Sequence, residues 1–174
     1  MATPLIVNVV ELLRWPGTTK ELSVLVDTSD FDFVDSRIVD EPVQISLHLE
    51  GITNGVDVSG TATFRWAAEC RRCLKPLSDI VIVPLDEMYQ PATADADPDA
   101  FGIEHDQINL LAMVRENILL SVPLGPLCKL DCRGFCPNCG CDLSVATCAC
   151  DNEVRDARWS ALDQIKGSLG EIAP

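Results

Sequence analysis

The chain has 174 residues, with 13 basic and 27 acidic side chains and a formal net charge of −14 at pH 7. This length suits one domain, or one domain with a small appendage, and the 47% hydrophobic content excludes a chain that is disordered throughout. The charge excludes a surface that coats nucleic acid or anionic membrane through a long-range field, so any RNA contact would need a local basic patch.

The sequence predicts neither export nor membrane insertion. The opening residues lack the basic region and cleavage site of a signal peptide, and they are not the Arg- and Ser-rich stretch of a transit peptide. The longest apolar stretch, at 118–127, contains two prolines and a glycine, and no run of 18 apolar residues occurs. We therefore expect a cytoplasmic protein without membrane contacts. Because the cytosol is reducing, its nine cysteines should be metal ligands rather than disulfides.

The first two thirds of the chain read as strands followed by a helix. Apolar runs occur near the N-terminus and at 22–26, and the acidic stretch 27–40 reads as a loop. Segments 43–50 and 56–66 alternate strictly between apolar and polar residues, which predicts half-buried strands joined by a turn at 51–55. A third strand at 80–85 would complete an antiparallel meander.

Two helices are predicted after these strands. Residues 90–107 form an acidic, low-complexity stretch that we interpret as a mobile loop. Asp106 then reads as the cap of a helix that Pro123 ends, and Asp156 as the cap of a C-terminal helix. Because the helices follow the strands, we expect an α+β fold in which a helix packs on the meander. The predicted division is a core at 1–127 and a cysteine-rich zinc knuckle with a final helix at 128–174.

Eight of the nine cysteines show the spacing of metal ligands. Two Cys-x-x-Cys turns lie at 70–73 and 136–139, and pairs at 128/132 and 148/150 flank the second turn. Such a turn directs two thiolates at one point, and two pairs supply the tetrahedral sulfur cage that zinc accepts. We therefore expect two structural zinc ions, since four thiolates leave no open position for water or substrate.

The spacing leaves open how these ligands divide. The preferred first site comprises Cys70, Cys73, Cys128 and Cys132. The second then comprises Cys136, Cys139, Cys148 and Cys150, and Cys141 is spare. In the alternative, the four cysteines from 128 to 139 bind one ion and the two outer pairs bind the other. A radical-SAM loop at 132–139 is disfavoured because too few residues follow for a barrel, and a thioredoxin-like pair at 70–73 because it lacks a βαβ context.

Basic residues gather beside the preferred first site. Five of the thirteen cations flank its cysteines: Arg71, Arg72, Lys75, Lys129 and Arg133. Zinc knuckles with basic rims can contact RNA, whereas the same cations could instead only balance the negative zinc–thiolate centre. No metalloprotease motif, phosphate-binding glycine loop or nucleophile elbow occurs, so we expect a protein that is not an enzyme and has no small-molecule substrate.

Several motifs together resemble those of one known family. Residues 70–77 read CRRCLKPL, and residues 132–140 read CRGFCPNCG. The helix segment at 108–124 and the Asp156-Ala157-Arg158-Trp159 tetrapeptide complete the set, which spans about residues 65–165. Together they resemble the YceD family, the large ribosomal RNA subunit accumulation proteins. The chain departs from the family pattern at Asn109, Phe135 and Ala157, where Asp, Leu and Pro are typical.

The resemblance implies a bacterial ribosome biogenesis factor needed for accumulation of large-subunit (23S) ribosomal RNA. We combine it with the residue patterns and expect a protein whose five cations contact precursor RNA. One alternative is an acidic protein-binding module or chaperone for a basic ribosomal protein, with the acidic loop 95–106 as the contact. A further alternative is a zinc or redox sensor that uses Cys141 and the C-terminal cysteines.

Overall fold

The computed structural model describes residues 5–92 and 97–150, together with Arg158 and Leu162. The described residues form two compact units. One contains those up to Cys70 and from Lys75 to Pro126, and the other contains Arg71–Leu74 and those from Leu127 onward. The architecture is α+β, as predicted, with a mixed sheet, one main helix and a cysteine-rich C-terminal region. The predicted final helix lies outside the described residues apart from Arg158 and Leu162.

The first unit holds all the named helices and strands of the described chain. In order, they are β1 (Ile6–Asn8), α1 (Val10–Arg14), β2 (Thr19–Val26), a 3₁₀ turn (Thr28–Phe31), β3 (Val43–Ile52), β4 (Gly55–Glu69), β5 (Pro76–Pro91), β6 (Phe101–Ile103), β7 (Gln107–Asn109) and α2 (Leu111–Ser121). Strands β3 to β5 form the predicted antiparallel meander, β2 adds antiparallel to β3, and β6 adds in parallel to β5. Strands β1 and β7 pair separately as an antiparallel ribbon. No helix in the described parts is long and apolar enough to cross a bilayer.

Alternation in β3 and β4 directs one face of the sheet into the core. The buried side chains are those at the predicted inward positions: Val43, Ile45, Leu47 and Leu49 on β3, and Val56, Val58, Ala62, Phe64 and Trp66 on β4. Helix α2 contributes Met113, Val114 and Ile118 to the same cluster. The period-two pattern is therefore confirmed, and the predicted helix packs on the meander.

Gly60 occupies the one inward position of β4 that no side chain could fill. Its register partners are Leu47 on β3 and Leu85 on β5. Its φ of 150° lies outside the range that most residues adopt, and a Cβ there would lie 2.1 Å from the Ser46 carbonyl oxygen. Glycine is thus required at this position of the strand.

Two expectations about the segment before α2 are corrected. Asp106 does not cap the helix, because β7 intervenes and α2 begins at Leu111. The Asn109 side-chain oxygen instead accepts a hydrogen bond of 3.0 Å from the Leu111 N–H. Segment 90–107 is not a single loop either, since its described parts include the end of β5, all of β6 and the start of β7.

The acidic stretch 27–40, predicted as a loop, is attached to the core by side chains. Phe31 is 1% exposed and accepts a 2.9 Å hydrogen bond at its carbonyl from Arg115 of α2. Arg37 forms a two-pronged ion pair with Asp35 and donates to the Pro123 carbonyl at 2.6 Å. Hydrogen bonds from Arg37 hold the pKa of the Asp35 carboxyl below its usual value. The contacts of Arg115 with Phe31 and of Arg37 with Pro123 join residues far apart in sequence, so local patterns could not predict them.

The cross-strand pair Glu21–His48 predicts that the stability of the fold depends on pH. Its Oε1···Nδ1 distance is 2.6 Å, and this hydrogen bond raises the pKa of His48 above its usual 6.5. Because the folded-state pKa is the higher one, the pair contributes stability below pH 6.5 and loses it as pH rises through the raised pKa. We expect an NMR titration of His48 to show the raised pKa and Glu21→Gln to lower it. Equal pKa values in the parent and this variant would contradict the pairing, and Ser23→Ala is the control on the same strand.

Candidate metal centres

The nine cysteines contain two groups of four whose sulfur atoms converge. The first group is Cys70, Cys73, Cys128 and Cys132, and the second is Cys136, Cys139, Cys148 and Cys150. Within each group all Sγ atoms lie within 4.8 Å of one another. This is the first of the two divisions that the spacing left open, and Cys141 belongs to neither group. We call these groups the first and second clusters.

The first cluster is built on the turn at the end of β4. The Cys70 N–H donates to the Lys75 carbonyl at 2.8 Å, which closes a tight turn over the intervening residues. Leu74 follows the second cysteine with φ of 56°, in the left-handed region. Cys70 and Cys73 are buried, and the Sγ atoms of Cys73 and Cys128 lie 3.5 Å apart.

The second cluster uses the same turn. The Cys136 N–H donates to the Cys141 carbonyl at 2.9 Å, in the same five-residue spacing as the Cys70–Lys75 bond. Gly140 follows the second cysteine with φ of 72°. The two turns are therefore equivalent, and position 74 of one corresponds to position 140 of the other. Cys139 is exposed in this cluster, whereas three of the four cysteines in the first are buried.

Arg72 connects the turn at 70–73 to the chain around Cys132. Its guanidinium donates to the Cys132 carbonyl at 2.6 Å, and its own carbonyl accepts from the Phe135 N–H at 3.1 Å. Gly134 makes this approach possible, because a Cβ at that position would lie 2.5 Å from the Arg72 carbonyl oxygen. The residue between the two clusters must therefore be glycine.

Hydrogen bonds and neighbouring sulfurs separate the pKa values of the second group. Main-chain N–H donors of Cys139 and Asn138 lower the pKa of Cys136 to about 6. A hydrogen bond with Cys139 raises the pKa of Cys150, and likewise that of Cys141, to about 12. Like charges at this spacing oppose each other, and a bound cation would offset that repulsion.

Both clusters fit a divalent metal with tetrahedral thiolate ligands. A zinc–sulfur bond of about 2.3 Å implies sulfur atoms about 3.8 Å apart, which is compatible with the spacing here. Zinc and iron both accept four thiolates, so either cluster could hold one of these ions. With four sulfur ligands no position stays open for a substrate, and the chemistry such an ion supplies is structural.

The five predicted RNA-contacting cations lie on the two segments that supply the first cluster. Arg71, Arg72, Lys75, Lys129 and Arg133 are all exposed. Lys129 forms a long ion pair of 3.7 Å with the neighbouring Asp131, a type that contributes little in water. Sequence reasoning missed two features here, the guanidinium–carbonyl bond of Arg72 and the left-handed backbone of Leu74. The second could have been suspected because Gly140 stands at the equivalent position after a cysteine.

Comparison with known proteins relates the chain to one family. A family model described as "Large ribosomal RNA subunit accumulation protein YceD" matches residues 58–166, which include all nine cysteines and the five cations. Uncharacterized proteins of Mycobacterium tuberculosis and Mycobacterium bovis are each 30% identical over 174 residues, covering 96% of this chain and 84% of the relative. One of Mycobacterium leprae is 26% identical over 152 residues, covering 83% and 70%. No solved structure matches the chain significantly.

The equivalent positions Leu74 and Gly140 predict opposite effects of substitution. Leu74→Gly should relieve left-handed strain and strengthen or preserve metal binding by the first cluster. Gly140→Ala should weaken binding by the second cluster about fivefold, since a left-handed alanine costs about 1 kcal/mol. Apart from its two chain neighbours, no described residue lies within 4 Å of the position that a Gly140 Cβ would occupy, so this variant tests the backbone effect. Competition with a chromophoric chelator measures both affinities, and a Gly140→Ala protein that binds as tightly as the parent would contradict the equivalence.

Proposed function

The chain belongs to the YceD family, whose name implies a role in the accumulation of large ribosomal subunit RNA, and from this we propose a more specific function. The protein is a non-enzymatic ribosome biogenesis factor that promotes accumulation of 23S ribosomal RNA. Its two cysteine clusters hold structural zinc ions, and the cations beside the first cluster contact precursor RNA. The observation that carries the proposal is the placement of these cations on the two segments that form that cluster.

The burial pattern of the second unit supports the metal part of the proposal. Among described residues 71–74 and 127–150, the buried positions are Cys73, Cys132, Gly134 and Cys136, and no aliphatic or aromatic side chain of these segments is buried. These described segments, which bury no apolar side chain, need another source of stability. Metal–thiolate bonds supply it, because they form only when the segment folds.

The charge pattern of the first cluster supports the RNA part. A zinc ion with four thiolates carries a net charge of about −2, and part of the cationic charge beside it offsets this. Arg71, Lys75 and Arg133 are exposed, and their side chains are in no ion pair among the described residues. Such side chains can bind phosphates, and the exposed Phe135 adds an aromatic surface on which an unpaired base could stack.

A cluster of carboxylates favours a second candidate, the chaperone for a basic ribosomal protein. Asp57, Asp86, Glu87, Asp97 and Asp99 line one depression of the first unit. A strongly basic protein would be attracted to this surface, consistent with the net charge of −14. We place this candidate second because the family name refers to RNA.

The metal proposal predicts two bound ions per chain, and substitution of ligands in one cluster should remove one of them. The purified protein should contain two zinc ions, and Cys70→Ser with Cys73→Ser should leave one. The matched pair Cys148→Ser with Cys150→Ser should also leave one, from the other cluster. Elemental analysis measures the content of all three proteins. Two ions remaining in either double variant, or iron with labile sulfide in the parent, would contradict the assignment.

The RNA proposal predicts that removal of cations beside the first cluster weakens RNA binding and makes it less dependent on salt. The triple variant Arg71→Gln, Lys75→Gln and Arg133→Gln should bind a precursor large-subunit RNA fragment more weakly. Its slope of log affinity against log salt should fall by about 2, because each phosphate contact contributes about 0.7 to 0.9. Arg72 is left intact because it donates to the Cys132 carbonyl. Fluorescence anisotropy at several salt concentrations measures both quantities.

A matched triple variant controls for the change in net charge. Arg14→Gln, Lys20→Gln and Arg65→Gln remove the same charge from the first unit, where each side chain is at least partly exposed. This variant should keep the slope of the parent. Equal slopes in all three proteins would contradict the RNA surface. Binding of a basic ribosomal protein instead of RNA would support the second candidate.

A further inference from the structure

The second cluster has one more thiol than a tetrahedral metal ion can use. Cys136, Cys139, Cys148 and Cys150 form the group of four. Cys141 adjoins this group, because its carbonyl accepts the Cys136 N–H at 2.9 Å and its thiol is close enough to Cys139 and Cys148 for an electrostatic interaction. Five thiols thus crowd around four ligand positions. The arrangement is peculiar to this cluster, because the position equivalent to Cys141 in the first turn is Lys75.

The second cluster is also the more accessible of the two. Cys139 is exposed, and Cys141, Cys148 and Cys150 are partly exposed. In the first cluster Cys70, Cys73 and Cys132 are buried and only Cys128 is partly exposed. A small oxidant in water would therefore reach the sulfurs of the second cluster first, since exposure governs thiol oxidation.

We propose that the second cluster is an oxidation site, at which a peroxide joins Cys141 to Cys148 in a disulfide and the bound metal ion is released. The inference rests on the proposed metal ion but goes beyond the proposed role in RNA accumulation. Cys148 is the partner because Cys139 is separated from Cys141 by a single residue, and a disulfide across that spacing would close a strained ring.

The chemistry balances with one peroxide molecule. The Cys148 thiolate attacks a peroxide oxygen, the O–O bond breaks, and hydroxide leaves a sulfenic acid on Cys148. The Cys141 sulfur then attacks the Cys148 sulfur, the S–S bond forms, and the sulfenic oxygen departs as water with the Cys141 proton. Two thiols lose two electrons in total, and the peroxide is reduced to two molecules of water once the hydroxide is protonated.

Loss of one ligand explains why the ion would leave. A Cys148 sulfur in a disulfide is no longer a thiolate, so three thiolates remain, from Cys136, Cys139 and Cys150. An ion with three ligands is bound more weakly, and the surrounding segment 136–150 has no buried apolar side chain to hold its fold in place. A dithiol reductant would restore the thiolates and allow the ion to bind again.

The test treats the metal-loaded full chain with hydrogen peroxide. A chromogenic chelator follows zinc release, and mass spectrometry of alkylated peptides locates the disulfide. We expect the parent to release one of two ions and to form the Cys141–Cys148 disulfide. Cys141→Ser should start with two ions and release the labile one about tenfold more slowly, because a neighbouring thiol acts at high effective concentration.

Several outcomes would overturn the inference alone, and the metal content before oxidation distinguishes its failure from that of the proposed function. Equal release rates in the parent and Cys141→Ser, release of both ions together, or a disulfide elsewhere would each refute it. A Cys141→Ser protein that starts with one ion would show that Cys141 is a ligand, which also refutes it. A parent that holds fewer than two ions before oxidation would instead refute the metal part of the proposed function.

Discussion

The convergence of eight thiols into two groups of four is the constraint on which the second unit depends. The first unit buries aliphatic and aromatic side chains from β1 through α2 in one core, as a domain of ordinary composition does. The described residues of the second unit bury cysteines and a glycine instead. Its turns, its left-handed residues and the close approach of Gly134 to Arg72 are all arranged around sulfur atoms rather than around an apolar interior. Among these described residues, cysteines occupy the buried positions that aliphatic and aromatic side chains fill in the first unit.

The two clusters share one turn geometry but differ in their surroundings. Each turn has a hydrogen bond from its first cysteine to the carbonyl five residues later and a left-handed residue after its second cysteine. The first cluster is mostly buried and has cations on both of its segments, which suits a permanent framework that presents a surface. The second is more exposed and carries the additional thiol of Cys141, which suits a site that can change state. The same turn is thus compatible with the proposed division into a structural first cluster and an oxidisable second cluster.

How much could be predicted from the sequence depends on whether the signal was local. The alternation in 43–50 and 56–66 identified two strands and their inward faces. Side chains two positions apart in a strand lie on the same face, so the pattern is visible within a short segment. The ribbon of β1 with β7, the parallel addition of β6 and the Arg37–Pro123 contact join residues about 10 to 100 positions apart, so no window could reveal them. The misplaced cap at Asp106 has the same origin, since pairing with β1 turned residues 107–109 into a strand. The cysteine pairs could be identified because the spacing within each pair is local, whereas the spacing left open how the pairs divide between two ions.

Arg72 shows why the metal and RNA parts of the proposed function depend on each other. Its guanidinium has five N–H donors, and one of them is used at the Cys132 carbonyl, so the others remain available to a phosphate. This carbonyl belongs to Cys132, which is a residue of the first cluster. The hydrogen bond to it fixes where the guanidinium lies. A phosphate-binding arginine that is held in place loses less side-chain entropy on binding than a free one. Loss of the metal ion would release Cys132 and, with it, the orientation of Arg72. The first cluster would therefore contribute to RNA affinity without any contact between its sulfur atoms and the RNA.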